Sequence, residues 1–311
     1  MQSGIPESVP TARVQYPQSP QSIQPSKDYH PEVVYANPPR SPWHGIISYV
    51  AIASLLVIAS LFLIWNQIGT QYVWIQKWYL LAFSLMGPAI YLAWIYRKDK
   101  YEPEPIYLVI LLIGWGAFAG FLSFLGNTYS DELGLGMLAS PIIGAPIIEE
   151  SMKGIGVYLM SKKPEFNDSL DGIVYGFAAG TGFAWVENFL YVVRIYEGDL
   201  LLSVLRVFLF SYGHGLYTAF TGRALGEAKV KKGFTQRSDL LRGLIPAMFM
   251  HGLYNSFLIG ILELGEIESW LIWPLLVFGL FTLILYREIR KAQKQEQLWG
   301  YDQGYAPIGQ S

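Results

Sequence analysis

The sequence predicts an all-α membrane protein, a polytopic helical bundle with about eight transmembrane helices. Three observations support this fold class. The 311 residues are 52% hydrophobic and only 15% charged, whereas soluble domains carry about 25% charged residues. Long apolar segments recur along the chain, and basic residues concentrate in alternate connections between them. Together these features exclude an ordinary soluble domain and a disordered chain.

Eight apolar segments are candidates for crossing the hydrocarbon core, which takes about 20 helical residues. The predicted spans are residues 45–65, 78–96, 105–126, 140–160, 172–193, 200–222, 240–262 and 269–286. Spans one, two, three and eight contain no charged side chain, so all charged groups at membrane depth belong to spans four to seven. Because such groups cost at least about 2.5–3.5 kcal/mol each, we expect the functional residues in these four spans.

The distribution of Lys and Arg predicts the orientation of the spans. If the N-terminus is cytoplasmic, 17 of the 22 basic residues lie in cytoplasmic segments, and only Lys77 and Arg194 lie in outside segments. This asymmetry follows the positive-inside rule. It predicts a multi-pass protein of the cell membrane with both termini in the cytoplasm.

The predicted bundle, residues 43–290, lies between two tails. Residues 1–42 are rich in Pro, Gln and Ser and predict a disordered cytoplasmic tail. Residues 291–311 are predicted to form a cytoplasmic C-terminal tail. A net charge of −2 gives no indication of a nucleic-acid partner, and the absence of cysteine excludes disulfides and thiolate metal ligands.

Span four carries two adjacent acids and a lysine, Glu149, Glu150 and Lys153. The i,i+3 and i,i+4 spacings allow Lys153 to neutralise one carboxylate. Two carboxylates in a medium of low dielectric resist joint ionisation, and such pairs serve general acid and base catalysis. The alternative is a structural ion pair between helices, although that role needs only one glutamate.

Span five contains a third acid, Glu187, followed by Asn188, whose amide can donate and accept hydrogen bonds. The structural alternative for Glu187 is a hydrogen-bond anchor. Glycines at 172, 176, 180 and 182, with alanines at 178 and 179, give this span a small-residue face, which allows close approach of another helix.

Spans six and seven repeat the pattern His-Gly-Leu-Tyr, beginning at His214 and His251. A polar residue follows each histidine by four positions, Thr218 and Asn255, and we expect it to orient the imidazole. A lone intramembrane histidine is usually a hydrogen bond between helices, but two matched histidines beside three acids favour a site.

Two arginines, Arg206 and Arg242, also fall within spans six and seven. Both lie nearer the span ends than the histidines do. We therefore expect their guanidinium groups to extend to the interface.

The polar motifs resemble those of the PrsW intramembrane protease family. Glu149 to Lys153 is similar to its EExxK motif, Phe183 to Asn188 to its FxxxEN motif, and His214 and the pair His251 and Asn255 to its third and fourth motifs. Residues 99–105 resemble its acidic Pro-Glu-Pro segment. The likeness covers residues 97–260 and differs at Thr218, where related motifs often have Asn or Asp.

The resemblance implies a hydrolase that cleaves membrane-anchored proteins, such as anti-sigma factors in bacterial stress signalling, from a polar cavity within the bilayer. The motif layout is also similar to CAAX prenyl endopeptidases and Abi-type membrane proteins. In this interpretation Glu149 is the general base, and Glu150, paired with Lys153, shares the proton. His214 and His251 donate protons, while Glu187 and Asn188 complete the cavity.

Three alternatives remain open at this stage. No cofactor is expected, but His214, His251 and Glu187 have the chemistry to bind zinc and leave a position for water. A non-catalytic scaffold on the same fold would use the polar residues only to hold helices together. A transporter with a proton relay is less favoured, because no inverted repeat is visible.

Overall fold

The computed structural model describes residues 73–132, 138–196, 199–264 and 269–298, together with positions 49, 52, 55 and 56. Within these residues the secondary structure is helical, with short connecting turns and no β-strand. The predicted all-α class is confirmed. The N-terminal tail and residues 299–311 lie outside the described residues. The predicted first span also lies outside them, except for the four single positions, which are helical.

The described residues form eight α-helices and three short π-helical turns. In chain order these are α1 (Val73–Tyr96), α2 (Ile106–Glu132), a π turn (Ser140–Gly144), α3 (Ala145–Met160), α4 (Ser169–Leu190), a π turn (Tyr191–Ile195), α5 (Leu200–Leu205), a π turn (Arg206–Phe210), α6 (Tyr212–Lys232), α7 (Arg237–Leu264) and α8 (Ser269–Leu298).

Helix α4 lies at the centre of the molecule, with 18 of its 22 residues buried. Asp168 caps its first turn in a capping box with Asp171, which satisfies backbone N–H groups that a helix start leaves free. A Cβ added at Gly172 would lie 2.1 Å from the Gly222 carbonyl oxygen of α6. At Gly182 it would lie 1.9 Å from the Ile113 carbonyl oxygen of α2. The glycines therefore allow backbone contact with both neighbouring helices, as predicted for the small-residue face.

Three helical runs of the described residues are long and apolar enough to cross a membrane: Tyr79–Tyr96, Ile106–Asn127 and Leu200–Lys232. They correspond to predicted spans two, three and six. The chain is thus a helical membrane protein, while the full count of eight spans stays a prediction. The third run is continuous through α5, a π turn and α6.

Apolar side chains cover the outside of the peripheral helices. Large exposed examples are Met86 and Ile90 on α1, Phe249 on α7, and Leu280 and Leu283 on α8, each at least 50% exposed. A soluble monomer rarely presents so much apolar surface. These faces fit contact with lipid, whereas the polar residues of the motifs point inward.

Candidate active site

The polar residues singled out from the sequence converge in the interior of the bundle. Helix α3 supplies Glu149, Glu150 and Lys153, and all three are buried. Helix α4 supplies Glu187 and Asn188, α6 supplies His214 and Thr218, and α7 supplies His251. Since four separate helices contribute, the arrangement depends on the tertiary fold.

Glu150 is the most highly coordinated acid of the site. Its carboxylate accepts a hydrogen bond from the Lys153 ammonium at 2.5 Å and lies 2.9 Å from His251 Nδ1. Thr218 Oγ1 donates to its second oxygen at 3.2 Å. With both Glu150 and Lys153 fully buried, the expected ion pair is present, and the charge of Glu150 is compensated.

Glu149 has a different environment from its neighbour. Asn127 Nδ2 donates to one carboxylate oxygen at 3.0 Å. The other oxygen, Oε2, is buried without a hydrogen-bond partner and lies 3.8 Å from His251 Nε2. This distance exceeds a hydrogen bond, so one oxygen of Glu149 stays available to a molecule entering the site.

Glu187 joins α4 to His214 and to an arginine. His214 Nε2 lies 2.5 Å from Glu187 Oε2, and Arg206 Nη2 lies 2.6 Å from the same oxygen. Arg206 Nε also donates to Asn188 Oδ1 at 3.1 Å, and Asn188 Nδ2 donates to the Ser84 carbonyl of α1. Glu187 is thus compensated by Arg206.

The expectation that Arg206 extends to the interface is wrong. Arg206 is only 5% exposed, and its guanidinium contacts Glu187, Asn188 and the ring of Tyr191. The centroid of that ring lies 4.2 Å from Arg206 Cζ. Burial of a guanidinium requires compensating partners: Glu187 supplies the opposite charge, Asn188 an acceptor oxygen and Tyr191 a cation–π contact. Arg242, in contrast, is exposed and pairs with Glu227.

The π turn at Arg206–Phe210 explains why Arg206 and His214 reach the same carboxylate. In a regular α-helix, eight residues rotate about 80° beyond two full turns. Here Ser211 N–H donates to the Arg206 carbonyl at 3.0 Å, five residues back, so the turn takes up one extra residue. The remaining seven residues fall about 20° short of two turns, and both side chains therefore face Glu187.

The imidazole rings are held differently from the prediction. Thr218 Oγ1 lies 3.0 Å from the His214 backbone carbonyl and 3.2 Å from Glu150, either of which can accept its one hydrogen, and it makes no hydrogen bond to the His214 ring. The His251 ring is oriented by Glu150 and stacks on Tyr217 with 5.1 Å between ring centroids. His214 is oriented by Glu187 and by Lys153, whose Nζ lies 3.4 Å from Nδ1.

Asn255 also has a different partner from the one predicted. Its Nδ2 donates to the Pro141 carbonyl at 2.8 Å. That carbonyl lies in the π turn, and Pro146, five residues on, has no N–H to offer it. Asn255 therefore satisfies an acceptor left free by proline, and it holds α7 against the segment that leads into α3.

Sequence reasoning missed Asn127 and Tyr217 as well as the burial of Arg206. Asn127 lies one residue beyond the uncharged third predicted span, and no spacing rule connects it with Glu149, 22 residues away. Tyr217 had a weak signal, because the repeated His-Gly-Leu-Tyr pattern includes it.

Glu149, His214 and His251 form the group at this site with the geometry to hold a metal ion. One ligand atom from each lies within 4.8 Å of the others, and all three residues are buried. The zinc set considered from the sequence contains Glu187 in place of Glu149. Two imidazoles and a carboxylate are a ligand set that catalytic zinc uses.

Comparisons with known proteins agree with the motifs. The family described as "PrsW family intramembrane metalloprotease" matches residues 104–284, more than half of the chain. Protease PrsW of Geobacillus kaustophilus (strain HTA426) is 29% identical over 239 residues, which cover 73% of this chain and 98% of that protein. Protease PrsW of Bacillus subtilis (strain 168) is 28% identical over 207 residues, covering 65% and 89%. No solved structure matches the chain.

The family match extends from the acidic segment before α2 into α8 and so includes every polar residue of the site. The relatives align over most of their own length, which excludes a likeness confined to one apolar helix. The chain belongs to the PrsW family of intramembrane proteases.

Proposed function

We propose that this protease hydrolyses a peptide bond of a membrane-anchored protein with a water molecule activated by Glu149. One observation carries the assignment. Glu150 is paired with Lys153, and Glu187 with Arg206. Glu149 has only the neutral amide of Asn127 on one oxygen, and its other oxygen is unpartnered. It is therefore the acid of this site best placed to accept a proton.

His251 lies on the other side of the position where a water molecule would bind. The gap of 3.8 Å between its Nε2 and Glu149 Oε2 is too long for a direct hydrogen bond and allows both groups to contact one oxygen. Glu150 holds the opposite ring nitrogen at 2.9 Å, so the ring cannot rotate freely. In this role Glu149 takes the proton of the water, and that same proton is passed on through His251 Nε2 to the leaving amine.

The remaining polar groups stabilise the charges that develop. His214 lies between Glu187 and Lys153, which places a polarised imidazole and an ammonium beside the reacting position. A tetrahedral intermediate carries negative charge on oxygen, and preorganised donors lower its energy. We assign this role to His214, whose N–H would turn from Glu187 to the oxyanion as the charge develops, while Lys153 and Arg206 compensate the acids that position the ring.

The family description as a metalloprotease raises the question of zinc. The residues fit such an ion: the donor set is two imidazoles and a carboxylate, and Glu149 Oε2 is buried without a partner. Glu149, His214 and His251 would hold it. A bound zinc ion would supply a more acidic water and a Lewis acid for the carbonyl group.

The proposed setting is a bacterial cell membrane, with eight spans and both termini in the cytoplasm. The substrate is a single-span protein, such as an anti-sigma factor in stress signalling. Its scissile segment must unwind, because a helical peptide bond is shielded by its own hydrogen bonds. The polar cluster at membrane depth fits cleavage within or near the bilayer.

A co-expression panel tests this function. A set of tagged single-span proteins is produced with and without the protease in cells that lack PrsW relatives. We expect at least one member to be cut only when the protease is present, with the new terminus mapped by mass spectrometry to its membrane segment. If every cut lies in a distant soluble domain, or no member of a broad panel is cut, the proposal is wrong.

Metal removal tests the route of water activation. Purified protease is dialysed against a strong chelator and then assayed on the substrate identified by the panel. Because activation by Glu149 requires no metal in our proposal, we expect the cleavage rate to stay within about twofold of the untreated protein. Loss of cleavage with recovery on added zinc would instead assign Glu149, His214 and His251 as ligands.

A further inference from the structure

A second set of acids lies far from the candidate active site, around the first turn of α4. The acidic cluster consists of Asp99, Glu104, Asp168, Asp171 and Glu296, and each residue is at most 3% exposed. They come from the α1–α2 connection, the start of α4 and the end of α8. Asp171 and Glu187 are separated by 16 residues of α4, or about 24 Å along the axis, so the cluster is separate from the active site.

Three members of the acidic cluster have structural contacts. One oxygen of Asp168 accepts from Leu170 N–H and Asp171 N–H. One oxygen of Asp171 accepts from the N–H groups of Asn167 and Asp168. Glu104 accepts from the Tyr175 hydroxyl. Capping and hydrogen bonding thus account for the placement of these three carboxyl groups in part, and the side chains of Glu104 and Asp171 also lie within hydrogen-bond distance of each other.

Asp99 has no such role. Both of its carboxylate oxygens are buried without a hydrogen-bond partner, although the amides of Glu102 and Glu104 are near enough to affect its charge. Oε2 of Glu296 is likewise buried and unpartnered. A buried carboxylate without partners is costly, so its placement here requires a source of positive charge.

Within the described residues, no Lys, Arg or His forms an ion pair with any member of the acidic cluster. Burial, with the carboxylates of Asp168 and Glu102, raises the pKa of Asp99 to about 8. Burial, with Asp168 and Asp99, raises the pKa of Glu296 to about 11. The negative charge of the cluster can be neutralised by protons or by a bound metal cation. Only a cation site gives saturable metal binding, so the two can be told apart by experiment.

We propose that the acidic cluster binds a hard divalent cation, with Asp99, Glu104 and Asp171 as its protein ligands. One oxygen from each of these residues lies within 4.8 Å of the others. That limit is about twice a typical Ca²⁺–O distance of about 2.4 Å, so one ion can contact all three. Carboxylate oxygens without nitrogen or sulfur select Mg²⁺, Mn²⁺ or Ca²⁺ over softer metals.

The cation links parts of the chain that are distant in sequence. Asp99 and Glu104 belong to the connection between α1 and α2, whereas Asp171 lies in the first turn of α4, the central helix. Gln293 of α8 donates to the Lys98 carbonyl at 2.6 Å beside the same connection. The bound ion would therefore stabilise the end of the bundle from which α4 extends to the active site.

Binding of Mn²⁺ to the full-length protein in detergent tests the proposal, with electron paramagnetic resonance measuring free Mn²⁺. We expect one Mn²⁺ per chain, displaced by Mg²⁺ or Ca²⁺. At 100 times its Kd the ion should raise the unfolding temperature by roughly 5–10 °C.

The Asp99→Asn variant tests the ligand assignment and should bind Mn²⁺ at least about tenfold more weakly than the wild type. In chelator it should unfold at the wild-type temperature or above, because the substitution removes a buried carboxylate that has no ion-pair partner among the described residues.

Two further variants make the result specific. Glu149→Gln should keep the Mn²⁺ affinity of the wild type, since Glu149 lies outside the acidic cluster; loss of binding in that variant would place the ion at the active site and overturn the proposal. If Asp99→Asn fails to fold, Glu104→Gln takes its place, because a glutamine oxygen can still accept from Tyr175. No saturable Mn²⁺ binding by the wild type, or equal binding by the cluster variants, would leave protons as the neutralising charge.

Discussion

The Glu149→Gln variant is expected to lose peptide cleavage while keeping its fold. A glutamine oxygen can still accept from Asn127, so the side chain stays in place, but the amide cannot take a proton from water. General base catalysis contributes about 10²–10⁴ in rate, and kcat/KM should fall by about that factor. The measurement is cleavage of the substrate identified by co-expression, with purified variant in detergent.

The matched control for this variant is Glu227→Gln, which changes a carboxylate that pairs with Arg223 and Arg242 away from the site. We expect its cleavage rate to stay within about twofold of the wild type. The unfolding temperature of Glu149→Gln should equal or exceed the wild-type value, because a buried charge has been removed. A folded Glu149→Gln protein that cleaves within tenfold of the wild type would refute the general-base assignment.

The Lys153→Met variant is expected to show the largest loss of stability. Methionine retains much of the apolar stem but removes the ammonium, and Glu150 is then left fully buried without its lysine. Removing one partner of a buried ion pair costs about 3–5 kcal/mol, which corresponds to a fall of roughly 10 °C in unfolding temperature. Thermal unfolding of the detergent-solubilised protein measures this change.

A second substitution separates lost charge pairing from lost packing. Adding Glu150→Gln to Lys153→Met removes the uncompensated charge, and we expect it to restore at least half of the lost stability. Lys232→Met is the control, because Lys232 pairs with Asp239 while 41% exposed, and exposed pairs contribute about 1 kcal/mol or less. If Lys153→Met unfolds within about 2 °C of the wild type, the buried pair has no structural importance.

Local spacing predicted some of the site. The i,i+3 and i,i+4 spacings predicted that Lys153 pairs with one of the two adjacent acids, and the partner is Glu150, because these residues lie on one regular helix. The inward position of the polar groups also followed from the cost of charge in hydrocarbon. The apolar segments of α1 and α2 and the run through α5 and α6 were detectable from their hydropathy.

Other features depend on tertiary packing and had no local signal. Thr218 and Asn255 share a helix face with the histidines, yet neither contacts an imidazole ring. Asn255 donates to the Pro141 carbonyl, which receives no N–H from Pro146, and Thr218 contacts the backbone carbonyl of His214, one turn before it. Helix α4 contains Asp171, Glu187 and Asn188 and is not among the three apolar runs, although 18 of its 22 residues are buried. The run Leu200–Lys232 is also mostly buried, yet it is apolar enough to be detected. Apolar composition alone therefore does not separate the centre of this bundle from its periphery.

The wide turn at Arg206–Phe210 also affects how the site can evolve. It holds one more residue than an α turn, so a homologue with a single deletion there would run as plain α-helix without displacing the histidine that follows. With seven residues of plain α-helix between them, the arginine and the histidine would still lie within about 20° of one face. A one-residue alignment gap at this point would thus leave the arginine contact in place, whereas a homologue that kept all eight residues in a regular α-helix would turn the arginine away from Glu187.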